Sequence, residues 1–262
     1  MRKSLIPFAC ILCSLPLAGQ VSVFTSTNSV SINGAIGAGE WADASSPISI
    51  DQLVSGSSGG ASDISGTVRL KWDATNLYAL FQITDDLRGE DSADGTPSNF
   101  DSYNDDSVEL YFSNSWPGTG DLNDYPSNHQ LRMNPGTSQE LETYWLNAYS
   151  GTNWGASSPG PNANYIVEVQ VPWSELGVTT PTIGNSFAFM AGINDDDDGT
   201  DRDAQLFWNT LDPNAYNDAT QWSEIQLAAA IPEPSTYAMI FGAVGLGAWF
   251  FIKRRQISEA AK

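Results

Sequence analysis

Hydrophobic and polar positions alternate in short runs along the middle of this chain, and no helical periodicity is sustained over three turns. Val68-Arg69-Leu70-Lys71-Trp72 alternates strictly; so do Leu77, Ala79, Phe81 and Ile83, with Tyr78, Leu80 and Gln82 on the other face. A period of two marks strands with one face turned inward. Asp73-Ala74-Thr75-Asn76 between the two runs has turn chemistry and predicts a hairpin. Further strands are predicted at 107–113, 129–134, 141–147, 164–171, 186–193 and 223–227. Pro172-Trp173-Ser174-Glu175-Leu176-Gly177 reads as one helical turn closing on a glycine. Many short strands predict an all-β body: a single antiparallel β-sandwich, Ig-like or jelly-roll-like. The loops at 84–105, 114–127, 148–163 and 194–222 are long, as functional loops are. Trp72, Phe81, Phe112, Trp173 and Phe189 fall on inward positions, and Trp41 and Trp222 are expected to pack under the terminal strands. Trp116, Trp145 and Trp154 fit either a ligand platform or the core.

The two ends break the pattern. Arg2-Lys3 followed by an apolar run from Leu5 to Leu17 has the layout of a secretory signal peptide, 1–19, with cleavage near Ala18 to Gln20. At the other end (231–262), Pro232-Glu233-Pro234-Ser235 leads into an apolar run, 236–252, and then Lys253-Arg254-Arg255. That run is about 17 residues, the minimum for a helix across a bilayer core, and the basic cluster would stay cytoplasmic. The order of motif, span and basic end resembles the PEP-CTERM sorting signal. The resemblance implies export through the inner membrane, transient or lasting anchorage by the C-terminal helix, and cutting by an exosortase-type enzyme near Pro232, Glu233 and Pro234. An ordinary anchor would not need the Pro-Glu-Pro.

Charge narrows the ligand class. Of 31 acidic residues only Glu233 and Glu259 lie outside 20–231, and of 11 basic ones only Arg69, Lys71, Arg88, Arg132 and Arg202 lie inside it. The body therefore carries 29 acids against 5 bases, a net charge of −24. Such a field repels nucleic acid and anionic lipid and favours neutral ligands or cations. Cys10 and Cys13, the only cysteines, fall in the signal segment, so no disulfide is expected in the mature body. The single histidine, His129, excludes sites built from several imidazoles and reads as a surface residue.

Five blocks in order across 30–228 carry a second resemblance. They are Ile32-Asn33-Gly34 with Glu40-Trp41; Val68 to Trp72 with Asp73, Asn76-Leu77-Tyr78 and Asp85; Asp106-Ser107-Val108-Glu109; Val167-Glu168-Val169 to Pro172-Trp173 and Leu176-Gly177; and Ile193-Asn194-Asp195 with Arg202. The body (20–230) resembles the family 9 carbohydrate-binding modules and, more loosely, DOMON-like sandwiches. That resemblance implies binding of sugars, often at chain ends, beside polysaccharide-degrading enzymes. Residue by residue it implies a ligand site of Tyr103, six positions before Glu109, with Glu109 accepting hydroxyl hydrogen bonds and Arg132 reaching the same sugar. A second aromatic is left open between Trp208 and Tyr216. Family members carry a glutamine two positions before Asn-Asp, where this chain has Gly192. An aromatic face with nearby charged groups is the chemistry a sugar requires.

Asn194-Asp195-Asp196-Asp197-Asp198-Gly199 contains N-x-D-x-D-G, the first half of a calcium loop, with Gln205 where a closing glutamate would stand. A structural Ca²⁺ on Asn194, Asp196, Asp198, Asp201 and Asp203 is one expectation and a solvated acidic turn the other. Asp85-Asp86 with Glu90–Asp94 is a weaker second candidate. No histidine cluster and no cysteine in the body points to a hydrolase. The sequence thus predicts an exported, non-catalytic carbohydrate-binding protein. A structural or adhesive matrix protein is the alternative, and a polysaccharide-active hydrolase a more distant one.

Overall fold

The structure, a computed structural model, describes residues 20–89, 101–136, 140–143, 149–157 and 164–231. The signal segment, Glu90–Asp94, Trp145 and the sorting tail with its 236–252 span lie outside these residues. Among the described residues no helix is long and apolar enough to cross a membrane. The chain divides into two compact units, Met1–Ala228 and Ala229–Lys262; the account below concerns the first.

The described residues form thirteen strands: β1 (Val21–Thr25), β2 (Ile48–Ile50), β3 (Gln52–Gly56), β4 (Ile64–Trp72), β5 (Asn76–Asp85), β6 (Ser107–Ser113), β7 (Asn128–Asn134), β8 (Glu140–Thr143), β9 (Asn153–Ala156), β10 (Tyr165–Pro172), β11 (Ser186–Asp195), β12 (Ala204–Phe207) and β13 (Ser223–Ala228). Two 3₁₀ turns, Ala215–Asn217 and Ala219–Gln221, are the only helical pieces among the described residues. The Pro172–Gly177 segment is a chain of tight turns in place of the expected helical turn, with Leu176 N donating to Trp173 O and Gly177 at φ +68°.

The strand order is β8-β7-β6-β11-β13-β1-β4-β5-β10-β9, with β12 pairing β11 and β3, and β2 pairing β4. The sheet is mixed, which corrects the expected purely antiparallel sandwich. β1 runs parallel to both β13 and β4 and so joins the last strand to the first hairpin. On either side of β1 the sheet forms two arms whose inner residues meet in one core. Val108, Leu110, Phe112, Leu131 and Phe189 come from one arm; Val68, Leu70, Trp72, Phe81, Val169 and Trp173 come from the other. Burying a large apolar side chain contributes roughly 1.5–3 kcal/mol, so this core dominates stability.

Several of the sequence blocks close the scaffold. Buried Glu168 on β10 accepts from Asn33 N, Gly34 N and Trp41 Nε1 at 3.0, 3.0 and 2.8 Å. Gly34 is at φ +76°, and a Cβ there would meet Ala156 C at 2.2 Å, so only glycine fits. Lys71, fully buried, pairs with Asp43 at 2.9 Å. Asp73 anchors the β4–β5 turn through Thr75, Asn76 and Tyr78, while its carbonyl accepts from Trp173 Nε1.

His129, expected at the surface, is fully buried on β7. Both ring nitrogens find partners, Tyr149 Oη at 2.7 Å and the Pro126 carbonyl at 2.9 Å, and Phe112 lies against the ring. Pro126 stands just before β7, but Tyr149 comes from beyond β8 and Phe112 from the adjacent strand β6, which is why the local polar sequence misled. Burial pushes its pKa down to about 4.

Candidate functional site

Alternation along β6 sends Val108, Leu110 and Phe112 inward and Ser107, Glu109 and Tyr111 to the outer face. Register then builds a polar row across three neighbouring strands, Glu142 on β8 facing Arg132 on β7, which faces Glu109 on β6; beyond it, Gly192 on β11 faces Glu109. Arg132 Nε donates to Glu109 Oε1 at 2.9 Å, and its Nη1 donates to Glu142 Oε2. Glu109 also accepts from Gln130 Nε2 (3.1 Å) at Oε1, and from Tyr111 Oη (2.8 Å) and Gln205 Nε2 (3.2 Å) at Oε2. Burial alone would raise the Glu109 pKa, but the charge and hydrogen bonds of Arg132, with the Tyr111 hydroxyl, bring it below the usual carboxylate range. Arg132 is likewise held cationic, since its two carboxylates outweigh its burial.

Glu109 points away from the main core, yet it is only 1% exposed. A second, smaller core of Tyr111, Met190, Phe207, Ala215, Ala219 and Trp222 covers the adjoining part of that face. Tyr103, by contrast, is 38% exposed. Its ring centre lies 5.3 Å from the Arg132 guanidinium carbon and 5.5 Å from that of Arg202. Arg202 is held by a 2.9 Å bond from Nη1 to Asn194 Oδ1, and Asn194 Nδ2 donates to Ser107 Oγ at 2.9 Å. The structure therefore brings Tyr103, Glu109 and Arg132 together and adds Arg202.

The two remaining aromatic candidates separate. Trp208 packs on Phe189, ring centres 6.0 Å apart, against the inner core and on the opposite face from Glu109. Tyr216 is 43% exposed on the 3₁₀ turn whose neighbour Ala215 packs into the small core with Tyr111. Trp154 is half-buried against the main core, whereas Trp116 is exposed.

The acidic residues regroup. Asn194, expected as a cation ligand, has its amide engaged by Ser107 and Arg202. Asp201 joins no cluster among the described residues, and Gln205 is turned to Glu109. Asp196, Asp198 and Asp203 do gather, but a deeper group forms from Asp85, Asp106 and Asp195, with Asp195 also meeting Asp63 and Asp197. All three of the deeper carboxylates are buried. Asp85 Oδ1 accepts from Leu87 N and Asp106 Oδ2 from Gly89 N. Their other oxygens, Asp85 Oδ2 and Asp106 Oδ1, and both oxygens of Asp195 find no hydrogen-bond donor among the described residues. Burial and mutual repulsion push Asp195 up to about 8 and Asp85 to about 6, and raise Asp106 well above the usual range. Oxygen-rich and desolvated, this trio has the donor set of a hard cation such as Ca²⁺.

The sequence reading missed Glu142, Gln130 and Tyr111, placed Gln205 in the acidic loop, and offered Asp85 as a weaker cation candidate without joining it to Asp106 and Asp195. Gln130 and Tyr111 share the outward phase of Arg132 and Glu109, a signal already in the alternation. Glu142 and Gln205 required strand register. Asp195 stood at a spacer position of N-x-D-x-D-G and carried no signal. Away from this face, a concavity of about 580 Å³ opens over the 28–42 loop. Its carboxylate, Glu40, is occupied by Ser31 N and Gly37 N, leaving little polar capacity for a ligand.

Two solved structures share the fold. They are a family 9 carbohydrate-binding module from Caldicellulosiruptor kristjanssonii in complex with glucose (TM-score 0.63, 19% identity, 81% of this chain and 98% of that one) and in complex with cellotriose (TM-score 0.63, 20% identity, 82% and 98%). Among curated proteins, endo-1,4-beta-xylanase A of Thermoanaerobacterium saccharolyticum is 24% identical over 183 residues, 69% of this chain and 14% of that enzyme. The xylanase of the same name from Thermotoga neapolitana is 24% identical over 160 residues, 61% and 14%. The chain thus spans about a seventh of these relatives' length. The carbohydrate family 9 binding domain-like profile matches residues 32–230. With three quarters of its length matched, the chain belongs to the carbohydrate family 9 binding domain-like family.

Proposed function

We propose that this protein is a non-catalytic carbohydrate-binding module whose sugar rests at Tyr103, over the Arg132–Glu109 row, with Tyr216 as the second aromatic. The observation that carries this reading is the exposed Tyr103 ring at the edge of a buried, hydrogen-bonded charged row. The ring covers sugar C–H surface and the guanidinium edges meet hydroxyls. The ligands in the two related structures, glucose and cellotriose, are neutral, as the −24 body favours. The test is calorimetric titration of the recombinant body with cellotriose, after a glycan array has surveyed other sugars. Tyr103→Ala is expected to weaken binding by roughly tenfold, counting the aromatic contact of about 0.5–1.5 kcal/mol and its area. Unchanged affinity in that variant would sink the placement of the site.

Two further expectations join this reading. A structural Ca²⁺ sits among Asp85, Asp106 and Asp195, where it would replace protons as the balance for buried charge. The protein is exported on residues 1–19 and processed at Pro232-Glu233-Pro234, delivering the module to the cell surface or beyond.

A further inference from the structure

Strand register separates the proposed sugar site from the point where the chain leaves the body. Along β11, Gly192 faces Glu109, whereas Ser186 faces Gln226 near the end of β13. The six positions from Ser186 to Gly192 span about 20 Å at roughly 3.4 Å per residue, so site and exit stand at opposite ends of the strands. The exit is fixed in place. Ala228 O accepts from Trp72 Nε1 at 3.1 Å and from Thr25 Oγ1 at 3.0 Å, and Gly184 N donates to Leu227 O at 2.8 Å. Three large apolar side chains are exposed at this same end. Ile183, beside Gly184, is 63% exposed. Trp116 follows Ser115, whose carbonyl accepts from Ala188 N at 2.9 Å, and is the one exposed tryptophan among the described residues. Tyr125 lies just before the start of β7, which pairs with the end of β6; its exposed ring stands edge-on to buried His129, centres 5.8 Å apart.

Indole and phenol rings, apolar in body and polar at one edge, favour the zone between water and lipid. From Ala228 seven residues, 229–235, lead to the apolar run that begins at Thr236, a reach of about 25 Å at full extension. An inserted run therefore keeps the exit end close to the bilayer, and the short tether gives a weak contact a high effective concentration. We propose that this end of the body, through Trp116, Tyr125 and Ile183, rests on the bilayer surface while the tail is uncut, and so turns the sugar site away from the membrane. The lipid it fits is zwitterionic, because Asp124 is exposed beside Tyr125 and the acidic body repels anionic headgroups. This inference rests on the proposed export and sorting tail; cutting at Pro232-Glu233-Pro234 would release the contact.

The experiment reconstitutes the uncut chain from Gln20 to Lys262 in phosphatidylcholine vesicles carrying bromine near the top of the acyl chains, which quenches tryptophan on contact. Trp249 falls within the apolar run and reports insertion of the tail by itself. In Trp249→Phe, quenching of the body is expected to persist, and adding Trp116→Phe is expected to abolish it. Ile183→Asp, at a second exposed position of the same end, should lower the quenching with Trp116 intact, and decides alone should Trp116→Phe not fold. Quenching in wild type but none in Trp249→Phe means that the tail inserts while this end stays clear of lipid; it overturns the inference and leaves the sorting reading standing. Quenching that survives both Trp116→Phe and Ile183→Asp puts another face on the bilayer and overturns it too. No quenching in wild type removes tail insertion and the inference together. Weaker cellotriose binding by the tail-free body in Trp116→Phe would make this end a second sugar surface in place of a lipid one.

Discussion

His129 shows how far one residue's environment sets its chemistry. Burial holds its folded pKa near 4, below the unfolded value of about 6.5. Between these values the unfolded chain binds the extra proton, so stability rises with pH across that window and is lost as pH falls from about 6.5 towards 4. The full effect is on the order of 3 kcal/mol, at about 1.4 kcal/mol per pH unit. Urea titrations of wild type and His129→Gln from pH 4 to 7 should give a stability difference that shrinks as pH falls; a constant difference would mean His129 does not stay neutral. Glu168 is a second residue of this kind. It satisfies three donors while buried, so Glu168→Ala strands two backbone N–H groups and the Trp41 indole and should cost about 3 kcal/mol or more. A drop in urea midpoint no larger than that of a control at the exposed Asp201, Asp201→Ala, would refute that role.

At the scale of elements, strand ends and the β11–β12 connection gather the carboxylates. Asp85 ends β5, Asp106 precedes β6 and Asp195 ends β11, three segments that meet only in the folded state. A cation bound there stabilises the native state alone, by about 2.7 kcal/mol at a hundred times its dissociation constant. For a domain of this size that is roughly 5–10 °C in melting temperature. Calcium added to chelator-treated protein should therefore raise the melting temperature, and Asp195→Asn should abolish the increment. Asp198→Asn and Asp201→Asn should retain it. The reverse pattern would return the ion to the outer acidic turn.

For the whole molecule, the family fold supplies the platform for the proposed site, and the proposed sorting role of the ends is tested apart from it. Replacing Pro232-Glu233-Pro234 with three alanines should leave the precursor anchored and unprocessed, because the apolar run after it is untouched. Intact-mass measurement of the cell-associated protein checks this: loss of the tail at the wild-type rate would remove the sorting role. The same body should bind cellotriose equally well with or without the tail, since every residue of the proposed site lies between Tyr103 and Tyr216.

Alternation along β4, β5 and β6 was enough to tell which side chains face the core, because a strand's period of two is a local property of its backbone. Trp72, Phe81, Phe112, Trp173 and Phe189 are buried as their phase requires, and Tyr103, Glu109 and Arg132 converge as the ordered blocks imply. Phase says nothing of whether the outer face is then covered. Glu109 is buried because a core built from residues up to Trp222 closes beside it, and His129 because Tyr149 and Pro126 enclose it. Register is equally non-local: Gln205 reached Glu109, and Asp195 rather than Asp196 or Asp198 joined Asp85 and Asp106, only once strands far apart in sequence were paired. The parallel seating of β1 between β13 and β4 unites the two ends of the body, and no local pattern in five residues encodes it. Sequence determined the face on which each side chain stands; tertiary structure decided what covers that face, because burial is set by segments remote along the chain.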